Sequence, residues 1–111
     1  MGLSKDLVAA TAEPMVLSIL ARDDTYGYAL IKEVHALSSG RIMWTEGMLY
    51  PVLHRLEEQG FIRSAWRESE TGRKRKYYSI QKKGHRRLKS QLENWDLAAA
   101  LVNAGRGAAH A

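Results

Sequence analysis

Apolar positions in the first half of the chain recur at helical spacing. Over residues 4–21, Leu7, Val8, Met15, Val16, Leu17, Ile19 and Leu20 supply an apolar surface, Ser4 can cap, and Asp6 suits a first turn. Pro14 interrupts this helix. It lacks an N–H and its ring crowds the carbonyl four residues back, so either a kink or a restart with Pro14 in the first turn is expected. A turn over 22–25 ends at Thr25, a good cap, and opens a second helix over about 26–38. There Leu30, Ile31, Val34 and Leu37 share one face. Ser38, Ser39 and Gly40 stop it, with Gly40 able to turn left-handed. Thr45 caps a third helix over about 46–59, whose buried stripe is Leu49, Val52, Leu53 and Leu56 and whose end is Gly60. Pro51 sits inside it, at a cost of roughly 3 kcal/mol for an ordinary helix interior.

The pattern then changes. Residues 61–67, with Phe61, Ile62 and Trp66, and residues 76–80, with Tyr77, Tyr78 and Ile80, have the composition of strands. Ser69, Glu70, Thr71 and Gly72 form the loop between them. A last helix over about 82–103 places Gly84, Leu88, Trp95, Ala99 and Val102 on one face. Leu92 lies beside that face, and Leu97 and Leu101 widen the apolar arc. The resulting order is helix, helix, helix, strand, strand, helix. This is a mainly α fold with a small β-hairpin: a winged helix-turn-helix plus a C-terminal helix. The expected organisation is a winged helix-turn-helix unit over 1–81 that includes the N-terminal helix, a C-terminal dimerisation helix over 82–103, and a disordered tail over 104–111.

Composition narrows the function classes. A chain of 111 residues forms one domain with a modest core. With no cysteine, disulfides, thiolate metal sites and cysteine nucleophiles are excluded. No apolar run reaches the ~18 residues of a membrane span, and the first residues carry no secretory pattern, so a cytoplasmic protein without a membrane role is expected. The histidines His35, His54, His85 and His110 are scattered, with no metal-ligand spacing to acids. No Ser-His-Asp arrangement or phosphate-binding glycine loop is present. A non-enzyme without metal or cofactor is expected.

Charge changes the picture most. Residues 63–89 hold eleven of the seventeen Lys and Arg residues and two of the twelve acids, a formal +9. The remainder holds six cations against ten acids, a formal −4. The centre of this patch is Gly72-Arg73-Lys74-Arg75-Lys76, four cations after a glycine, leading into Tyr77-Tyr78-Ser79-Ile80. Such a basic hairpin suits a phosphate backbone. Along the strand the cations Arg73, Lys74, Arg75 and Lys76 should alternate sides. The cations that open the last helix, Lys82, Lys83, Arg86, Arg87 and Lys89, fit a solvated face.

The outward face of the third helix holds Glu46, Gly47, Tyr50, Pro51, His54 and Arg55. Tyr50 and His54 are i, i+4 neighbours, and an arginine such as Arg55 is able to read guanine bidentately. With a basic wing downstream, this face is the candidate major-groove reader. The first and last helices carry more apolar surface than a three-helix core needs, which indicates a partner. A two-fold homodimer through these helices would cover it.

The motifs Tyr26-Gly27-Tyr28, Thr45-Glu46-Gly47-Met48-Leu49-Tyr50-Pro51-Val52-Leu53-His54-Arg55-Leu56-Glu57, Gly60-Phe61-Ile62 and Gly72-Arg73-Lys74-Arg75-Lys76-Tyr77-Tyr78 together resemble the PadR family of bacterial transcriptional regulators, over about residues 5–100. The short C-terminal region with Trp95 resembles the compact LmrR-like subgroup. The resemblance implies a homodimeric repressor on a double-stranded DNA operator. The implied DNA-facing set is Tyr26, Thr45, Glu46, Gly47, Met48, Tyr50, Pro51, His54, Arg55, Gly72, Arg73, Lys74, Arg75, Lys76 and Tyr77. It also implies a planar aromatic effector held in a pore at the dimer interface, against Trp95 and lined by Leu7, Thr11, Pro14, Leu92, Asp96 and Ala99. The chain departs from the family at Gln81, where the last helix is usually capped by Thr, and at Pro14, often an aliphatic residue. Two rival functions fit the same fold: a winged-helix protein-interaction module for an acidic partner, and a sensor of a planar cofactor such as flavin or haem.

Overall fold

The computed structural model describes residues 3–109. Its elements are α1 (Lys5–Arg22), β1 (Thr25–Tyr26), α2 (Gly27–Leu37), α3 (Glu46–Glu58), β2 (Ile62–Glu68), β3 (Lys74–Ile80) and α4 (Lys82–Ala109). The strands form one antiparallel sheet in the order β1-β3-β2. The core lies where α1, α2 and α3 meet the base of the hairpin. Leu17, Leu20, Leu30, Val34, Leu49, Leu53, Leu56 and Ile62 are fully enclosed there. These are the apolar stripes read from helical spacing, each buried against the next element.

Local chemistry explains most element ends. The Ser4 hydroxyl accepts the Leu7 N–H at 3.2 Å and starts α1. The Thr45 hydroxyl accepts the Met48 N–H at 3.2 Å and starts α3. In the hairpin loop the Gly72 N–H bonds the Ser69 carbonyl at 2.9 Å and the Ser69 N–H bonds the Arg73 carbonyl at 2.8 Å, while Gly72 takes φ of 81°. A residue with a side chain is rarely left-handed there, so the glycine sets the reversal.

The structure corrects several expectations. Helix α1 runs continuously through Pro14, with no restart. The cap of α2 is Tyr26, which makes no side-chain capping bond, because Thr25 pairs with Tyr78 in the sheet instead. The strand β1 has no counterpart in the apolar pattern. Strand β3 begins at Lys74, two residues before the expected start, since Glu68 and Arg67 of β2 continue the register opposite Lys74 and Arg75. Helix α4 runs through Gly105 and Gly107 to Ala109 rather than stopping at 103. Of the tail, residues 110 and 111 lie outside the described residues.

The connection between α2 and α3 contributes to the core as well. Ile42 and Trp44 are buried there, while Arg41, Met43 and Thr45 are exposed. Helix α4 is anchored over residues 82–91, where Gly84 and Leu88 are buried and Gln91 is half-buried; residues 92–107 are all exposed. At 1.5 Å per residue its 28 residues span about 42 Å, so most of it projects from the body.

Candidate nucleic-acid interface

The predicted reading face of α3 is open. Glu46, Gly47, Tyr50, Pro51, His54 and Arg55 are all exposed, on the side opposite the buried stripe Leu49, Val52, Leu53 and Leu56. Met48, expected on the same DNA-facing surface, is instead half-buried and packs against the core. Thr45 is occupied as the helix cap. His54 Nε2 lies 3.0 Å from Glu58 Oε1 one turn along, so the imidazole is held by its own helix. Tyr50 packs against the start of α2. A Cβ built on Gly27 would stand 2.9 Å from Tyr50 Cζ, so the absence of a side chain at Gly27 admits the phenol ring.

The hairpin sorts its cations by side. Residues 74, 76, 78 and 80 share one sheet face, and 75, 77 and 79 the other. Arg73, Lys74 and Lys76 are exposed, whereas Arg75 is half-buried. The Arg75 guanidinium carbon lies 4.2 Å from the centroid of the Tyr26 ring. Tyr26 in turn meets Tyr77 edge-on, with centroids 5.4 Å apart, and Arg67 lies over the other ring at 5.1 Å. Arg67 also donates to Asp24 Oδ2 at 2.8 Å. This bond from Arg67 holds the Asp24 carboxyl below its usual value, against the opposing effect of burial. Tyr26 and Tyr77 thus act as platforms that order two arginines.

These elements enclose a cleft of about 590 Å³ between the start of α2, α3 and the hairpin. Its walls include Tyr26, Gly27, Tyr28, Glu46, Tyr50 and Trp66, together with all four hairpin cations. The cleft therefore gathers seven of the predicted contact positions and adds Gly27, Tyr28 and Trp66. Arg55, Pro51 and Gly47 lie on the far rim of α3, where they border a groove toward the first turns of α1. An aromatic floor with a cationic rim suits a ligand that is anionic outside and apolar within. At the base of the hairpin, burial first, then the neighbouring Tyr50 and Glu57 charges, push the Tyr78 hydroxyl up to about 12.

A second cleft, of about 390 Å³, lies between α1 and α4. Thr11, Pro14, Leu92 and Trp95 line it, as the resemblance implies. Ala99 borders a separate shallow hollow with Trp95. Leu7 and Asp96 are exposed and line neither. The Glu13 carboxylate accepts from Gln91 Nε2 and from Arg87 Nη2, the latter at 3.3 Å, and so ties α1 to α4 beside the cleft. Gln91 Oε1 is buried without a partner. Among the described residues no cluster of His, Cys, Asp and Glu could hold a metal, and no helix is long and apolar enough to cross a membrane.

Sequence reasoning missed Trp66 as a cleft residue, although its alternation with Ser64 and Ile62 placed it on the core-facing row. It also missed the Asp24–Arg67 pair. Those residues are 43 apart in the chain, and no local signal joins them.

Residues 16–90 match the transcriptional regulator PadR-like family. The transcriptional regulator YqjI of Escherichia coli is 33% identical over 90 residues, which cover 81% of this chain and 42% of that protein. The chain thus spans about two-fifths of that relative's length. A transcriptional regulator from Clostridium thermocellum superposes with a TM-score of 0.83 at 31% identity, covering 91% of this chain and 95% of that one. A PadR-like transcriptional regulator from Bacillus cereus superposes with a TM-score of 0.79 at 28% identity, covering 89% and 94%.

Proposed function

Because this chain belongs to the PadR-like family of transcriptional regulators, we propose that it is a cytoplasmic, homodimeric repressor that reads duplex DNA through α3 and the hairpin. The observation that carries this reading is the cleft itself. The open face of α3 and four hairpin cations border one groove, and its walls are aromatic. Tyr50, His54 and Arg55 would face base edges, and Lys74 and Lys76 would meet phosphates. The relatives are regulators rather than enzymes, and no catalytic constellation enters this reading.

A dimer is supported by unpartnered apolar surface. Leu7 of α1 and Leu92, Trp95, Leu97, Leu101 and Val102 of α4 are large and exposed. A two-fold contact through α1 and α4 would cover them and fix the separation of two α3 helices. In the manner of the LmrR-like subgroup, a planar aromatic effector would sit against Trp95, beside Thr11, Pro14 and Leu92. It would act by binding one head spacing better than the other.

The test is binding of the purified protein to the duplex upstream of its own gene, against random duplex of equal length, at two salt concentrations. A dimer neutralising roughly six to ten phosphates loses about 10³–10⁵ in affinity between 50 and 200 mM salt. Equal, weak binding to both duplexes at both salts would refute the reading. The effector half fails if neither Trp95 fluorescence nor DNA affinity moves across a panel of planar aromatic compounds.

A further inference from the structure

Trp66 is the largest apolar side chain on the hairpin, and it is 69% exposed. The sheet register shows why. Residues 62, 64, 66 and 68 of β2 share a face with 74, 76, 78 and 80 of β3. Near the body this face is core: Ile62 and Tyr78 are buried, and the Ser64 hydroxyl donates to Glu57 at 2.6 Å. Farther out the same row leaves the core. There it presents Trp66 opposite Lys76 and diagonal to Lys74, on the wall of the cleft that Tyr50 borders from α3.

Indole is the best of the side-chain rings for holding a cation. Yet Lys76, its cross-strand partner, turns its ammonium to Tyr78, 5.9 Å from that ring centroid. None of the cation–ring contacts among the described residues involves Trp66. The indole is therefore an open apolar plate with two exposed lysines, Lys74 and Lys76, along its β3 side. Its complement is a ligand with an apolar patch for the indole and anionic groups spaced along the adjacent lysine row. A sugar–phosphate strand has that alternation, with a carbon-rich deoxyribose between successive phosphates. The acid of the cleft, Glu46, belongs to the α3 wall rather than the hairpin wall.

We propose that the cleft between α3 and the hairpin takes one sugar–phosphate strand of duplex DNA, with the Trp66 indole packed on a deoxyribose ring and Lys74 and Lys76 on the flanking phosphates. This rests on the DNA-binding reading above. The contact is apolar and the sugar is common to every nucleotide. Trp66 therefore adds affinity that depends on neither sequence nor salt, whereas the lysines add affinity that depends on salt.

The experiment compares the unsubstituted chain, Trp66→Ala, Trp66→Phe and Lys74→Ala on upstream and random duplexes at 50 and 200 mM salt, with intrinsic fluorescence and thermal midpoint. Trp66→Ala should weaken binding about tenfold, the scale of one aromatic platform on nucleic acid. The loss should be the same on both duplexes and at both salts, with an unchanged thermal midpoint. Trp66→Phe should recover most of the affinity and lose most of the DNA-induced fluorescence change, since Trp44 is buried and Trp95 lies on α4. Lys74→Ala should flatten the salt slope instead. If the wild type binds and Trp66→Ala binds equally well, the proposal is overturned and the DNA-binding reading stands. A lower thermal midpoint in Trp66→Ala, with the fluorescence change kept in Trp66→Phe, overturns it in favour of a role in holding the hairpin. A wild type that binds neither duplex overturns both.

Discussion

Gly84 of α4 packs directly onto the backbone carbonyl of Phe61. A Cβ built on Gly84 would overlap that oxygen and stand 2.8 Å from Ile80 Cγ1. The same carbonyl accepts the Gln81 N–H at 2.9 Å. The first turn of α4 is thereby seated on the base of the hairpin, and this contact, with the Glu13 link from α1 to Arg87 and Gln91, holds the start of the projecting helix. Gly84→Ala would push against backbone, which cannot swing aside. A loss of about 1–3 kcal/mol in stability is expected, measured by denaturant unfolding. A variant as stable as the wild type would mean that α4 tilts freely on the hairpin.

Gly27 offers the contrasting case. A Cβ there meets only the far end of the Tyr50 side chain. Gly27→Ala should leave the unfolding midpoint almost unchanged, since alanine favours a helix over glycine, while displacing the Tyr50 phenol. The expected result is a smaller ratio of operator to random-duplex affinity, read in a competition binding assay. An unchanged ratio would remove Tyr50 from sequence reading.

The hairpin cations should separate by role. Replacing Lys74 or Lys76 with Ala should reduce the slope of log affinity against log salt by about one each. Arg75→Ala loses the stack on Tyr26 as well, so its thermal midpoint should fall where those of the lysine variants do not. Equal midpoints for all three would show that the stack contributes nothing to folding.

Trp44 buries an indole whose N–H has no hydrogen-bond partner. An unmade bond of this kind is costly, and removing the donor relieves it. Trp44→Phe should therefore cost little, whereas Trp44→Ala should cost about 3–5 kcal/mol through the cavity it leaves. Unfolding in urea compares the two. Equal losses would show that the indole N–H is satisfied.

Tyr78 gives a pH signature. Its hydroxyl is raised from 10.0 to about 12 in the folded chain. Between those values the unfolded chain has lost the proton and the folded chain has kept it, so stability falls as pH rises. The contribution is complete below pH 10.0 and is lost through about 12. Wild type should destabilise over that range relative to Tyr78→Phe, as followed by circular dichroism. Parallel curves for the two proteins would exclude Tyr78 as the cause.

Much of this molecule was legible in advance. The stripes Leu30, Ile31, Val34, Leu37 and Leu49, Val52, Leu53, Leu56 have helical spacing; the second is buried throughout, whereas in the first Leu30 and Val34 are buried, Ile31 is half-buried and Leu37, at the end of its helix, is exposed. Ser4 and Thr45 cap the helices they precede because a hydroxyl can reach an N–H three residues on. The open face of α3 follows from the same periodicity. Strand β1 was not legible, since two residues carry no pattern and pair only because the free edge of β3 lies beside them. Trp44 was overlooked although Arg41, Ile42, Met43, Trp44 and Thr45 alternate in and out with a period of two.

The cluster of positive charge and the order of the elements other than β1 follow from the sequence by itself, because each element depends on residues within a turn or two of one another. Which cations remain available was decided only by the tertiary structure. Arg67 is engaged by Asp24, and Arg75 by Tyr26, across long separations in the chain, while Lys74 and Lys76 are exposed on the other face, Lys76 with its ammonium near the Tyr78 ring. The same is true of Trp66, which leaves the core where the hairpin outruns the helices beneath it. Spacing along a chain determines which face a side chain shares; packing between distant segments determines whether anything is there to meet it.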